Sequence, residues 1–193
     1  MNLQLNNDNE VFNYQNIEKE IFELNNFSPN NSAFPRNLFK IKFDKFYLIN
    51  TVDWFNSEPD FERLITFIKN ADSNYFFASC PPFYMINAIK VSTNDTYQTY
   101  IENHSYTNME HRYKGVGIRK SPETFFYDTT KNWAIVCDIT TNITLIGLKN
   151  ELINNFEKSF NDNYDSVKSL QKNSLLSEKV VNEIELNYPS NNS

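Results

Sequence analysis

Hydrophobic residues recur at a partly helical spacing near the N-terminus and predict a helix from about Glu10 to Leu24. The apolar positions of this helix are Phe12, Ile17, Ile21 and Leu24. Its acidic positions are expected to form the outer face, and they are Glu18, Glu20 and Glu23. After a loop rich in asparagine and proline over residues 25–37, apolar residues alternate over residues 38–50 and predict a strand or a hairpin.

The clearest helical pattern begins at Ser57, a residue type that accepts a hydrogen bond as an N-cap. Pro59 in the first turn and Asp60, three residues after the cap, complete a capping-box pattern in which Asp replaces the usual Glu or Gln. One apolar face follows at i, i+3, i+4 and i+7, formed by Phe61, Leu64, Ile65 and Ile68. The helix is expected to end near residues 70–72.

Two strands and a short helix are predicted next. Residues 75–79 have the pattern of a buried strand that ends at Cys80-Pro81-Pro82, because proline cannot donate to a sheet ladder. Residues 84–91 predict a second strand. Residues 93–103 are ambiguous and suggest a short helix, whereas residues 106–114 are polar and predict a loop.

Four runs of β-forming residues with short polar connectors predict an antiparallel meander. The runs cover residues 115–120, 124–128, 132–140 and 142–148. Within residues 133–139 both alternating sets of side chains are mostly apolar, which predicts a central strand covered on both faces. Trp133, at the start of that strand, is expected to be a core residue.

Two apolar stripes at helical spacing predict helices after the meander, with Leu152, Phe156 and Phe160 in the first and Leu176, Val180 and Ile184 in the second, before Pro189. No internal repeat or linker divides the chain, so we expect a single α+β domain over residues 1–193. Its fold class is an antiparallel β-meander sheet packed by N-terminal, middle and C-terminal helices. Residues 1–9 and 188–193 are expected to be mobile.

The composition adds expectations about the core and about partners. With 40% apolar residues, 17 Phe and 11 Tyr, the core should be rich in aromatic residues. Glycine occurs only 3 times, and some of the many asparagines are expected to take its place in turns and at helix ends. The net charge of −6 disfavours nucleic acid as a partner, because phosphate binding needs an excess of Lys and Arg, and it allows a basic protein partner.

The sequence also favours the cytoplasm. The N-terminal residues lack the pattern of a secretory signal, and the most apolar window, residues 75–89, contains Pro81, Pro82 and Asn87 and falls short of a membrane span. Cys80 and Cys137 would be able to pair, but two cysteines in a chain of this length do not make a disulfide framework.

Several kinds of catalytic and cofactor site are excluded by spacing. The glycines, Gly115, Gly117 and Gly147, do not form the motifs of a Rossmann site, a phosphate-binding loop or a nucleophile elbow. The potential zinc ligands lie on separate predicted elements without the close spacing of a ligand pair, and they are Cys80, His104, His111 and Cys137. We therefore expect no metal and no cofactor.

A basic loop is the main candidate for chemistry. Arg112 and Arg119 would hold an anion there, and His111 would transfer a proton if Asp128 or Asp138 oriented its ring. The alternative is a solvated loop whose charges pair with neighbouring acids. We assign no catalytic residue and treat these three basic residues as candidate binding residues.

Trp54 and Phe55 are the other candidate binding residues, between a predicted strand and the capped helix. If exposed, they would anchor a protein interface. If buried, they would pack onto the helix as a hydrophobic staple.

Residues 115–147 read GVGIRKSPETFFYDTTKNWAIVCDITTNITLIG. An aromatic strand ending in Asp (residues 125–128), a strand led by Trp (residues 133–138) and a short Ile/Leu/Gly strand (residues 143–147) follow one another. This stretch resembles the meander of the small acidic immunity proteins of bacterial polymorphic and contact-dependent toxin systems. The resemblance implies a cytoplasmic protein that neutralises a cognate toxin by direct binding, without catalysis, and it implies no role for any single residue.

Three functions are therefore open from the sequence. The first is a non-enzymatic protein-binding protein of the immunity type, which would cover its partner's active site with an acidic or aromatic surface. The second is an enzyme directed at a small molecule or nucleotide, using the His/Arg loop near residues 110–120. The third is a self-assembling structural subunit.

Overall fold

The computed structural model of this protein describes residues 16–26, 34, 36–49, 57–79, 89–106, 123–138, 141, 143–160 and 177–189. The helices in these ranges are α1 (residues 16–21), α2 (Glu58–Asn70), α3 (Tyr97–Tyr106), α4 (Asn150–Phe160) and α5 (Glu178–Asn187). The strands are β1 (Lys45–Ile49), β2 (Tyr75–Ser79), β3 (Ile89–Ser92), β4 (Glu123–Tyr127), β5 (Trp133–Asp138) and β6 (Ile143–Leu148).

The strands form one six-stranded sheet in the order β1-β6-β5-β4-β2-β3, and every neighbouring pair is antiparallel. The three consecutive strands β4, β5 and β6 lie side by side, because their connections are too short for a crossover. The α+β fold with an antiparallel meander is thus confirmed. The predicted first run of the meander, residues 115–120, lies outside the described residues.

The strand β5 is buried along its whole length. Trp133, Ile135 and Cys137 join a core with α2, α3 and α4, which we call the α2/α4 face. Ala134 and Val136 join a second core with α1 and α5, which we call the α1/α5 face. The prediction of a central strand covered on both faces is confirmed, and so is the core position of Trp133, which is fully buried.

The helix α2 follows the capping pattern in the sequence. The hydroxyl Oγ of Ser57 accepts a hydrogen bond from the backbone N–H of Asp60 at 3.3 Å and donates one to the Asp60 carboxylate. Pro59 fits the first turn, since the N–H that it lacks would have no partner in the helix there. The helix ends at Asn70, as predicted, and its apolar face packs against the sheet.

The first helix differs from its prediction in the role of Glu18. This residue is buried, and its carboxylate accepts a hydrogen bond from the hydroxyl of Tyr127 at 3.1 Å. The predicted acidic outer face is therefore wrong for Glu18, although Glu20 is exposed. The helical period alone did not show that the hydroxyl of Tyr127 on β4 would be a hydrogen-bond partner for Glu18 on the side of the helix that faces the sheet.

Of the predicted strand or hairpin over residues 38–50, the structure describes residues 38–49, and Lys45–Ile49 is the strand among them. Phe39 makes an isolated bridge with Phe22, and Leu38, Phe39 and Phe43 are buried in the core of the α1/α5 face. Residues 38–43 thus pack over the sheet instead of forming a strand in it. The alternation of apolar and polar residues there reflects the burial of one side of the segment.

The last helix buries a different stripe from the one predicted. Val181, Ile184 and Tyr188 are buried, whereas Val180 is only partly buried and Leu176 lies outside the described residues. Ser177 caps the helix by accepting a hydrogen bond from the N–H of Val180. Tyr188, the first residue of the C-terminal range that is expected to be mobile, is fully buried and hydrogen-bonded, and the mobility of that range stays a prediction.

The core is aromatic, as the composition predicted. All of the largest fully buried side chains are aromatic, and they are Trp133, Tyr100, Tyr127, Tyr188, Phe22, Phe61, Phe67, Phe76, Phe125, Phe126, Phe156 and Phe160. In the described ranges the non-glycine residues with a left-handed backbone are Asp72 and Lys131, so asparagine takes none of those positions there. None of the helices in those ranges has the length and apolarity that a membrane span requires.

Candidate functional site

The strand register defines two ends of the sheet. The Trp133 end consists of Lys45, Tyr75, Ser92, Tyr127, Trp133 and Leu148. The Ser79 end consists of Ile49, Ser79, Ile89, Glu123, Asp138 and Ile143. Binding and catalytic residues often cluster at one end of such a scaffold.

The five residues that the sequence singled out for binding lie outside the described residues. They are His111, Arg112, Arg119, Trp54 and Phe55. The two aspartates that were expected to orient His111 are both described, and they lie at different ends of the sheet: Asp128 follows β4 at the Trp133 end, and Asp138 ends β5 at the Ser79 end. A single histidine would therefore have at most one of them as its partner.

Asp128 organises the turn between β4 and β5. Its atom Oδ1 accepts hydrogen bonds from the backbone N–H of Thr130 at 2.9 Å and from the Thr130 hydroxyl, and Oδ2 accepts one from the indole Nε1 of Trp133 at 2.9 Å. The residue is almost fully buried. Both carboxylate oxygens are thus engaged in the fold. Aspartate two residues before threonine is a common turn signal, and the sequence reading did not use it.

Asp138 and Cys137 occupy opposite faces of the sheet, because successive side chains on a strand alternate. Asp138 is fully buried on the α1/α5 side, whereas Cys137 lies in the core of the α2/α4 face and accepts a hydrogen bond from the hydroxyl of Thr144 at 3.3 Å. The Cys137 thiol is buried. The acid and the thiol do not form a catalytic pair, and Cys80 lies outside the described residues.

The Ser79 hydroxyl is also buried at this end of the sheet, and it has no hydrogen-bond partner among the described residues. It pairs with Phe125 on β4, whereas Asp138 pairs with Glu123 and lies on the next strand. Two strand spacings and one pleat repeat separate Ser79 from Asp138, which is roughly 12 Å between Cα atoms. This distance is too long for Asp138 to activate the serine hydroxyl directly.

The half-buried acid Glu157 ties α4 to the edge strand β1. Its carboxylate accepts hydrogen bonds from Lys45 Nζ at 2.8 Å and from the hydroxyl of Tyr47. The hydrogen bond from Lys45, followed by that from Tyr47, holds the pKa of Glu157 below its usual value. Tyr47 also stacks against Phe156, so this cluster fastens the helix to the sheet.

Tyr188 fastens the C-terminal helix in a similar way. Its hydroxyl accepts a hydrogen bond from the N–H of Leu38 at 2.8 Å and donates one to the carbonyl of Arg36. Burial raises the pKa of Tyr188, so the hydroxyl stays protonated and able to donate.

Four lysines lie in segments that meet at the Trp133 end of the sheet. Lys40 Nζ donates a hydrogen bond to the carbonyl of Lys19 at 3.0 Å, and Lys149 Nζ donates one to the carbonyl of Lys42. The backbone N–H of Lys149 also donates to the carbonyl of Asn132, in the β4–β5 turn, at 2.9 Å. We call Lys19, Lys40, Lys42 and Lys149 the lysine patch.

The lysine patch joins residues that are far apart in the sequence. The N–H of Lys40 donates to the carbonyl of Ile21 at 2.8 Å, so the segment before β1 runs beside the end of α1. Lys19, Lys40 and Lys42 are exposed, and Lys149 is half-buried. The sequence reading missed the patch because no local window contains more than two of its members.

No metal site is found among the described residues, because no three acidic, histidine or cysteine side chains come close enough to hold an ion. Comparison of the chain with protein-family models, with curated proteins and with solved structures found no match.

Proposed function

We propose that this protein acts by binding another protein and that it catalyses no reaction itself. The observation that carries the proposal is the lysine patch, where two of the ammonium groups donate hydrogen bonds to backbone carbonyls. Like charges close together repel, by about 0.5 kcal/mol per pair at roughly 8 Å in water. Such an arrangement contributes little to the stability of the fold, whereas it would favour the binding of a partner of opposite charge.

A toxin is the class of partner that we favour, which would make this chain an immunity protein of the cytoplasm. The support for this part is the resemblance of residues 115–147 to immunity proteins. The meander is part of the rigid scaffold, and its β4–β5 turn contacts the lysine patch through Asn132.

The enzyme alternative receives less support from the structure. It needs Asp128 or Asp138 to orient His111, but both oxygens of Asp128 are engaged with Thr130 and Trp133. Asp138 is fully buried at the opposite end of β5 from Asp128. The hydroxyls of Ser57 and Thr130 do bond to carboxylates, but these pairs form a helix cap and a turn.

The test is co-expression of the chain with the protein encoded by the adjacent gene, followed by size-exclusion chromatography with light scattering. We expect a complex of fixed stoichiometry and, if the neighbour is toxic, growth of cells only when both proteins are present. A neighbour that stays separate from this chain, together with continued toxicity, would contradict the proposal. The same light-scattering run on the chain alone addresses self-assembly, which predicts a large particle in dilute solution.

A further inference from the structure

The lysine patch has a charge opposite to that of the whole chain. The net charge of the protein is −6, yet the ammonium groups of Lys40 and Lys149 lie on the backbone of two further lysines, Lys19 and Lys42. None of the ion pairs found among the described residues includes a patch lysine. The patch is therefore a local positive region on an acidic protein.

Two carboxylates close in sequence to patch lysines, those of Glu20 and Asp44, have other partners. Glu20 pairs with Lys131, in the turn beside the patch. Asp44 accepts a hydrogen bond from the backbone N–H of Asn150 at 3.0 Å and thereby caps the first turn of α4. These contacts leave the lysine charges of the patch without a carboxylate in ion-pair contact.

The patch is also pre-organised for binding. Lysine normally loses considerable side-chain entropy when it is fixed at an interface. Here Lys40 and Lys149 already rest on the carbonyls of Lys19 and Lys42, so part of that loss has occurred on folding. Each ammonium has three N–H donors, so hydrogen-bonding capacity is left for a partner.

We infer that the lysine patch binds an acidic surface of a partner protein. This inference rests on the proposed function and adds the docking surface and the charge of the partner. It differs from the basic partner that the net charge by itself allows. Nucleic acid fits less well, because its charge runs continuously along the backbone and would extend over the acidic remainder of the chain, whereas an acidic protein surface can be confined to the patch.

The experiment compares two double charge reversals in the full chain. Lys40→Glu/Lys42→Glu alters the patch, and Lys69→Glu/Lys158→Glu alters two exposed lysines on α2 and α4. Both variants change the net charge equally, so any difference between them reports the location of the charges. Thermal unfolding followed by circular dichroism verifies that each variant is folded.

The probe is a labelled decaglutamate peptide, and its binding is followed by fluorescence anisotropy. The measurement is made at about 20 and at about 150 mM NaCl, where the Debye length is about 20 and about 8 Å. We expect the patch variant to bind about tenfold more weakly than the wild type, which is about 1.4 kcal/mol. The control variant should change by less than about threefold, since exposed charges far from a site contribute little.

Equal weakening of peptide binding by both variants would overturn the inference, because only the net charge would then matter. A wild type that fails to bind the peptide at low salt would overturn it as well. A labelled single-stranded DNA that binds more tightly than the peptide would show that the assigned class of partner is wrong. Where the co-expressed neighbour binds the wild type and the patch variant equally well, the proposed function stands and the patch is not its docking surface.

Discussion

Asp128 provides a direct test of the difference between a structural and a catalytic carboxylate. It is almost fully buried and accepts three hydrogen bonds, two from Thr130 and one from the indole of Trp133. Hydrogen bonds to a charged group contribute about 1.5–3 kcal/mol each. Since Thr130 is exposed and its groups can rehydrate, we expect Asp128→Ala to lower the free energy of unfolding by about 3–5 kcal/mol.

Asp128→Asn separates the parts of this effect. The amide oxygen is still able to accept from Thr130, but the amide N–H₂ then faces the indole N–H of Trp133, and two donors cannot bond. We expect a loss of about 2–3 kcal/mol, mostly from the buried indole left without an acceptor. Urea unfolding followed by far-UV circular dichroism measures this loss of stability. Tryptophan fluorescence is unsuitable as the signal, because the control variant removes Trp133.

The control is Trp133→Phe, which removes the indole donor. In that background the additional cost of Asp128→Asn should fall by at least about 1 kcal/mol, as residues in direct contact are not additive. An Asp128→Asn protein as stable as the wild type would refute the structural role. Equal costs of Asp128→Asn in both backgrounds would show that the hydrogen bond to Trp133 contributes nothing.

Three further outcomes are expected from urea unfolding. Gly147→Ala should cost about 1–3 kcal/mol, because an added Cβ would lie 2.4 Å from the buried ring of Phe43; an unchanged midpoint would contradict this packing. Tyr188→Phe should cost about 1–2 kcal/mol by leaving the N–H of Leu38 without its acceptor, and a neutral effect would show that α5 is held by apolar contacts alone. The pKa of Glu157 is lowered in the folded state, so its stabilising contribution is present above its ordinary value of 4.5 and is lost as the pH falls through the folded pKa. Comparison with Glu157→Gln should therefore show a difference of about 1 kcal/mol or less at pH near 7 that disappears in acid, whereas a difference that grows in acid would contradict the sign.

The local elements of the fold were readable where one window of sequence contains all the necessary groups. Ser57, Pro59 and Asp60 lie within one helical turn, so the start of α2 followed from capping chemistry. The strand β5 followed from apolar residues at both alternating sets of positions. The Asp128 turn was readable in principle, since its acceptor and two of its donors lie within three residues.

Contacts between distant segments were not readable in this way. Glu18 was placed on the outer face of its helix, because the period of a helix does not reveal a hydroxyl on a strand more than a hundred residues away. Tyr188 was assigned to a mobile terminus, yet its hydroxyl bonds to Arg36 and Leu38. In both cases a polar atom at the tip of the side chain has a partner that becomes a neighbour only on folding.

The sequence by itself determined the aromatic core, the capped helix and the strands β4, β5 and β6, because short-range periodicity and short connectors leave few alternatives for those segments. Only the tertiary structure decided that β1 pairs with β6 and β2 with β4. It alone brought Lys19, Lys40, Lys42 and Lys149 together at one end of the sheet. The physical reason is that such pairings depend on which edges and faces are still uncovered when the whole chain has packed, and no single segment contains that information.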